Sequence, residues 1–372
     1  MSNYSSSEKT QIVTIAGNRP EIIKLSELVN SLNGISKNAF VYTGQHYSAN
    51  MRDVFLNELN VKFDYDLQSN TSDVNILRNK IRNLLYALKP SYVLVYGDTN
   101  STLAAALAAK DVDSKLIHIE AGLRCFDLSK PEERNRIQVD SISDYLLAPT
   151  QLNELFLKYE NVPQERVFVT GNLIVDVCRK FSNALNLDKQ SDFDSKYVLL
   201  TLHRPGLVDD PYMLKKLSNF LSQINYNIVF PIHPRTLDRL TKYNVNLPRN
   251  VKVIDAVGYL EFLSLLKKCM LVITDSGGVQ EEAIILKKPC ITLNSTTERQ
   301  ETILLKANRL FFPLEIDEDK HENSINHVIG EMLHTRITIN PYGENVTQRA
   351  VKVISDVLDN DKQRIKPQLR IS

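Results

Sequence analysis

The stretch Thr274-Asp275-Ser276-Gly277-Gly278-Val279-Gln280-Glu281-Glu282-Ala283 contains residue types suited to holding a phosphate. The apolar run 270–273 before it reads as a buried strand, and 279–286 reads as a helix. Ser276, Gly277 and Gly278 then fall on the turn between them, where backbone N–H groups and the positive end of a helix dipole favour an anion. Two successive glycines let that anion come close to the main chain. Glu281 and Glu282, one turn further on, are placed to accept hydrogen bonds from sugar hydroxyls. The same pattern also describes a tight strand–helix turn that binds nothing, and this stretch alone leaves both readings open.

Other chemistry-bearing residues stand just past apolar runs. Arg19 and Lys24 follow the run 11–17, Asp98 follows 92–96, Glu120 follows 116–119, and His203 follows 197–202. Arg299 stands in Thr297-Glu298-Arg299, after 290–293. Cations and a helix N-terminus suit a phosphate-bearing ligand. Carboxylates and a histidine beside such an anion can move protons once their surroundings tune them. Each has a plainer reading. Arg19 and Lys24 could be solvated surface cations; Glu132 and Glu133 could merely suit a helix dipole; His118, alternating within an apolar strand, reads as a core histidine. Neither GxGxxG nor GxxxxGK[ST] occurs, so no bound nicotinamide or ATP is indicated. The seven histidines show no metal-ligand spacing with Cys or Asp, and neither a metal nor another cofactor is expected.

These residues need strand ends to hold them. Apolar runs at 11–17, 39–43, 92–96, 116–119, 145–147 and 166–170 alternate with helical patterns at 51–59, 74–88, 102–110, from Pro131, and 173–185. A polar stretch at 186–196 reads as a linker. Strands then resume at 197–202, 227–232, 251–257, 270–273 and 290–293, and a last helix covers 346–358. Strands separated by helices in both halves predict two Rossmann-like α/β domains with parallel sheets, in which ligands bind at the carboxyl ends of strands. If the halves face one another, Arg19, Lys24, Asp98, Glu120, Glu132, His203, Arg299 and the 276–278 turn line one cleft.

The 372 residues suffice for two cores. A net charge of +1 argues against non-specific nucleic-acid or membrane binding. Four scattered cysteines, Cys125, Cys178, Cys269 and Cys290, without CxxC spacing fit buried free thiols in a reducing cytoplasm. The polar, Ser-rich first ten residues lack a signal-peptide core, and no apolar run reaches membrane-span length.

Taken together, the motifs resemble those of UDP-N-acetylglucosamine 2-epimerases. They are Gly17-Asn18-Arg19-Pro20-Glu21, Thr43-Gly44-Gln45-His46, Gly97-Asp98-Thr99, Glu120-Ala121-Gly122-Leu123-Arg124, Pro131-Glu132-Glu133 with Asn135-Arg136, and Gly171-Asn172. His203-Arg204, His233-Pro234, the 274–283 run, Thr297-Glu298-Arg299 and Asn340-Pro341-Tyr342-Gly343 continue the match, in the family's order over nearly the whole chain. The resemblance implies a glycosyltransferase-B-like fold. Its first domain would be 1–185, joined by the C-terminal helix 345–372, and its second 186–344. It implies no metal and no redox cofactor, a UDP-sugar as partner, and a cytoplasmic homodimer. It implies anti elimination of UDP after proton removal at C2, giving a 2-acetamidoglucal, and re-addition with the proton on the other face. Asp98, Glu120 and Glu132 would be the acid/base carboxylates and His203 would assist the leaving UDP. Arg19 and Lys24 would lie near the diphosphate, Ser276, Gly277 and Gly278 would cradle phosphate, and Glu282 would hold the ribose. Arg136, His233 and Arg299 would contact nucleotide or sugar.

The chain departs from the family pattern at three sites. Asn18 stands where Thr is common, Gly206-Leu207 where Glu-Asn is common, and Gln300 where Pro is usual. In some bacterial members the residues around Gln45-His46 and after His203 form an allosteric site for the substrate. The changed pair and the longer Tyr47-Ser48-Ala49-Asn50 turn bear on that regulation and leave room for a modified sugar. The leading expectation is a non-hydrolysing 2-epimerase. Its rivals are a 2-epimerase of a diacetamido-uronic or 6-deoxy UDP-sugar, a hydrolysing enzyme, a glycosyltransferase of the same fold, and an idle nucleotide-sugar-binding protein.

Overall fold

The computed structural model describes residues 11–44, 59–184, 196–312 and 324–365. The Gln45-His46 motif, the 47–50 turn, and nearly all of the expected helix at 51–59 and the linker at 186–196 lie outside them. Two compact units are present, Met1–Val177 with Tyr342–Ser372, and Cys178–Pro341.

In the first unit, short apolar strands buried on both faces form a parallel sheet, as continuous apolar runs require. The elements are β1 (Ile12–Ala16), α1 (Arg19–Leu32), β2 (Asn38–Tyr42), β3 (Tyr65–Asp66), α2 (Val74–Leu88), β4 (Tyr92–Tyr96) and α3 (Asn100–Asp111). They continue with β5 (Lys115–Ile119), α4 (Pro131–Ile142), β6 (Tyr145–Ala148), α5 (Gln151–Tyr159), β7 (Val167–Val169) and α6 (Ile174–Ala184). Strand order is β3-β2-β1-β4-β5-β6-β7, with every pair parallel. The chain starts at β1, winds outward, and returns to β4 at β1's other side. The crevice past the ends of β1 and β4 is therefore the switch point where open α/β sheets take ligands. Sequence periodicity missed β3, which has only two residues, and α5.

The second unit has its own core around β8 and β11, including Leu200, Phe230 and Ile273. Its elements are β8 (Tyr197–Thr201), α7 (Pro205–Val208), α8 (Pro211–Ser222), β9 (Asn227–Pro231), α9 (Pro234–Lys242), β10 (Val251–Ile254) and α10 (Tyr259–Lys268). Then come β11 (Leu271–Thr274), α11 (Gly277–Ile285), β12 (Cys290–Thr292), α12 (Gln300–Leu304), β13 (Asn308–Leu310) and α13 (Ile325–His334). The order β10-β9-β8-β11-β12-β13 is again parallel, with its switch point between β8 and β11.

The division between units falls inside α6 rather than at 185/186. The second half of α6 packs on the second unit: Phe181 and Tyr259 rings meet edge-on at 6.0 Å, and Lys267 donates to the Ser182 carbonyl at 2.9 Å. The last helix, α14 (Val346–Ile365), belongs to the first unit. There Asp176 accepts the Thr347 N–H at 2.7 Å, and the Tyr342 carbonyl accepts the Asn172 N–H at 3.2 Å. A Cβ on Gly171 would stand 2.3 Å from that carbonyl, so this junction needs glycine.

Candidate active site

At the first switch point, β1 runs into Gly17-Asn18-Arg19. A Cβ on Gly17 would lie 2.2 Å from Ser101 Cβ, so glycine lets this turn press against α3. Asn18 caps α1, its side-chain oxygen accepting the Glu21 N–H at 3.0 Å. Arg19 is exposed. Lys24 is only 5% exposed, its Nζ 2.6 Å from Glu120 Oε2 and 5.2 Å from the centre of the Tyr96 ring. The solvated-cation reading thus fails for Lys24.

Glu120 stands past the end of β5 with φ +69° and is 6% exposed. A left-handed backbone at a residue other than glycine is strained, and such strain persists where surroundings over-determine it. Lys24 does so here, with the Tyr96 hydroxyl, which also donates to Glu120. Asp98, past the end of neighbouring β4, is held by Arg136. Nε donates at 3.1 Å, and a second bond runs through Nη2. Arg136 is 4% exposed, and its Nη1 also donates to Glu133 at 2.7 Å. Arg136 therefore orients Asp98.

Glu132 and Glu133 share the first turn of α4 but have opposite fates. Glu133 is buried and accepts the backbone N–H groups of Cys125 and Phe126 at 3.0 and 2.8 Å. Glu132 is exposed. His118 is a core histidine, fully buried between Asp140 (2.6 Å) and the Gly97 carbonyl (2.8 Å) beneath the Asp98 turn.

Glu21 is a carboxyl that sequence reasoning quoted in a motif without assigning. It folds back so that Gly17 N–H donates to it at 2.6 Å, and burial pushes its pKa up to about 7, with the Asp98 charge adding to the rise. Between the ordinary 4.5 and about 7, the folded chain holds a proton that the unfolded chain releases. Stability from this group therefore falls as pH rises through that window, by roughly 3 kcal/mol in all. Glu21→Gln keeps an oxygen for Gly17 and should flatten the slope between pH 5 and 8 in urea unfolding. Equal slopes in both proteins would refute this account.

In the second unit, β8 runs into Leu202-His203 and β11 into Asp275, the paired ends Thr201 and Thr274 lying side by side at the other switch point. His203 is half-exposed, with its ring 6.1 Å from that of exposed His233, which caps α9. α11 begins at Gly277, so Gly277 and Gly278 form its first turn rather than the connection before it. Ser276 is extended and places no side-chain oxygen on the first-turn N–H groups. Arg299 is 4% exposed and committed to the fully buried Glu281 through Nε, with Glu298 3.3 Å from Nη1. Arg299 thus holds Glu281 inside the unit. Glu282 is 6% exposed, close enough to Tyr259 that its charge, after burial, raises the phenol's pKa well above the usual value.

Tyr96 and Asp275 escaped assignment although each stands at the end of a strand already read, at the edge where ligands bind. That position was the signal available for finding them.

Residues 32–355 match the model of a family described as UDP-N-acetylglucosamine 2-epimerase. The chain is 39% identical over 373 residues to the UDP-N-acetylglucosamine 2-epimerase of Methanococcus maripaludis, covering 95% of this chain and 99% of the relative. It is 38% identical over 316 residues to a UDP-2,3-diacetamido-2,3-dideoxy-D-glucuronate 2-epimerase of Pseudomonas aeruginosa, covering 81% and 88%. Among solved structures, the UDP-GlcNAc 2-epimerase of Methanocaldococcus jannaschii in complex with UDP-GlcNAc and UDP superposes with a TM-score of 0.84 at 37% identity, covering 93% of this chain and 99% of that one.

Proposed function

The chain belongs to the UDP-N-acetylglucosamine 2-epimerase family, and on that premise we propose that it interconverts UDP-N-acetylglucosamine and UDP-N-acetylmannosamine. It is an isomerase whose two parallel-sheet units have the glycosyltransferase-B-like fold. A carboxylate of the first unit removes the proton at C2, the C1–O bond breaks, and UDP departs to leave a 2-acetamidoglucal. Protonation of C2 from the other face and return of the UDP oxygen to C1 complete the inversion. Asp98, Glu120 and Glu132 carry the protons, while Arg19 and Lys24 balance charge near the diphosphate. In the second unit Ser276, Gly277 and Gly278 cradle phosphate, Glu282 holds the ribose, and His203, beside His233, assists departure of UDP. Arg136 and Arg299 act by holding Asp98 and Glu281.

The observation that carries this reading is that Asp98 and Glu120 stand at the carboxyl ends of neighbouring strands, each gripped by a buried cation. A proton-transfer pair needs such fixed placement. Four buried free cysteines accord with a reducing, cytoplasmic setting. The reading includes a homodimer.

A second reading has a specific support. The diacetamido-glucuronate relative is 38% identical over 316 residues, against 39% over 373 for the relative from M. maripaludis. Proton NMR of the purified protein with each UDP-sugar separates the two. Growth of UDP-N-acetylmannosamine signals from UDP-N-acetylglucosamine is expected. Turnover of the diacetamido-uronic sugar alone would replace the first reading with the second.

A further inference from the structure

We propose that Asp275 is a positioning residue that fixes the tautomer of His203, keeping a proton on Nδ1 so that Nε2 faces the leaving diphosphate. This rests on the reading that His203 assists departure of UDP. Asp275 is 1% exposed. One oxygen, Oδ2, accepts the backbone N–H groups of His203 and Arg204 at 2.9 and 2.7 Å, which locks the turn after β8 onto β11. The other, Oδ1, lies 3.2 Å from His203 Nδ1. That is ion-pair distance, and Oδ1, buried and otherwise without a hydrogen-bond partner among the described residues, has Nδ1 as the ring atom in reach. A carboxylate only accepts, so a bond closed across this contact takes its proton from Nδ1. The ring's opposite nitrogen then points away from Asp275, on a side chain that is 45% exposed.

The placement has an electrostatic reason. Asp275 immediately precedes the cap of α11, where the phosphates are read to bind, and a buried negative charge there would repel them. Burial itself would raise the Asp275 pKa, but the His203 ring beside it and the two backbone N–H groups of His203 and Arg204 outweigh that and hold the carboxyl below its usual range. Among the described residues, charged or titratable groups near His203 include Arg204 on the same turn, itself 3.7 Å from Glu298, and His233 across from it. A protonated His203 neutralises Asp275 and donates from Nε2 to the departing phosphate oxygen. No electron or atom changes hands beyond that proton.

Asp275→Asn tests this. The amide oxygen can keep both backbone bonds, while its N–H₂ faces Nδ1 and forces the proton to Nε2 in the neutral ring. Turnover should fall roughly a hundredfold, as loss of general acid help does, with UDP affinity changed less than about threefold. In a His203→Asn background the same change should cost almost nothing more, since both act as one unit. Equal costs in both backgrounds would make Asp275 merely structural and overturn the proposal. Nitrogen-15 NMR of histidine-labelled unmodified protein checks the tautomer without any dependence on the folding of a variant. Neutral His203 should be protonated at Nδ1, and protonation at Nε2 alone would refute it. If His203→Asn turns over normally, the reading of His203 itself fails, which is a distinct result.

Discussion

Asp98→Asn, Glu120→Gln and Glu132→Gln are each expected to lower epimerisation turnover by roughly a hundredfold or more, the range general acid–base groups supply. The hydrogen at C2 must leave as a proton if no hydride acceptor takes part, and it is weakly acidic. Expulsion of UDP makes its loss feasible, so a base and a stabilised leaving group are needed together. Run in deuterated water, the unmodified enzyme should place solvent deuterium at C2 of the product. Product with its C2 hydrogen fully retained would point to a shielded proton relay or transient oxidation. The structure shows which controls these variants need. Asn at 98 leaves Arg136 still bonded to Glu133, so the fold should tolerate it. Gln at 120 strips a 5%-exposed Lys24 of its counter-charge, a change that can cost several kcal/mol of stability. Thermal unfolding and UDP affinity must therefore accompany the rates. Unimpaired turnover in all three folded variants would remove these carboxylates from the mechanism.

Gly278→Asp should weaken UDP binding at least about a hundredfold while leaving the free protein folded. Gly278 is in the first turn of α11, and an added Cβ meets nothing nearer than Ser276 Oγ at 3.9 Å. A carboxylate at that end of a helix interacts favourably with its dipole, by about 0.3–1 kcal/mol. The same charge occupies the place proposed for the phosphates and repels them. Stability and affinity should thus move in opposite directions, which separates loss of the cradle from loss of the fold. Gly277 is a poorer choice, because a Cβ there would stand 2.6 Å from Glu298 Oε1. Calorimetry showing undiminished UDP affinity in a folded Gly278→Asp protein would place the phosphates elsewhere.

Local pattern alone determined the alternation of strands and helices, hence two parallel sheets, because buried strands and amphipathic helices declare themselves through the spacing of apolar residues. It also placed Asp98, Glu120 and His203, since each directly follows an apolar run and strand ends are where such sheets bind ligands. Partnership was not legible. Lys24 and Glu120 are 96 residues apart in the chain and meet only because β1 and β5 flank β4 in one sheet. Glu132 and Glu133 are identical in type and adjacent; the rotation of α4 alone sent Glu133 inward to the Cys125 and Phe126 amides and left Glu132 in solvent. Arg299 read as a nucleotide or sugar contact, and nothing along the chain marked its burial against Glu281. Asp275 stood in plain view within its motif, yet its meeting with His203 depends on β8 and β11 lying side by side. Burial and ion pairing are properties of neighbours brought together by the sheets, and a carboxylate or cation read along the chain carries no mark of the partner that will claim it.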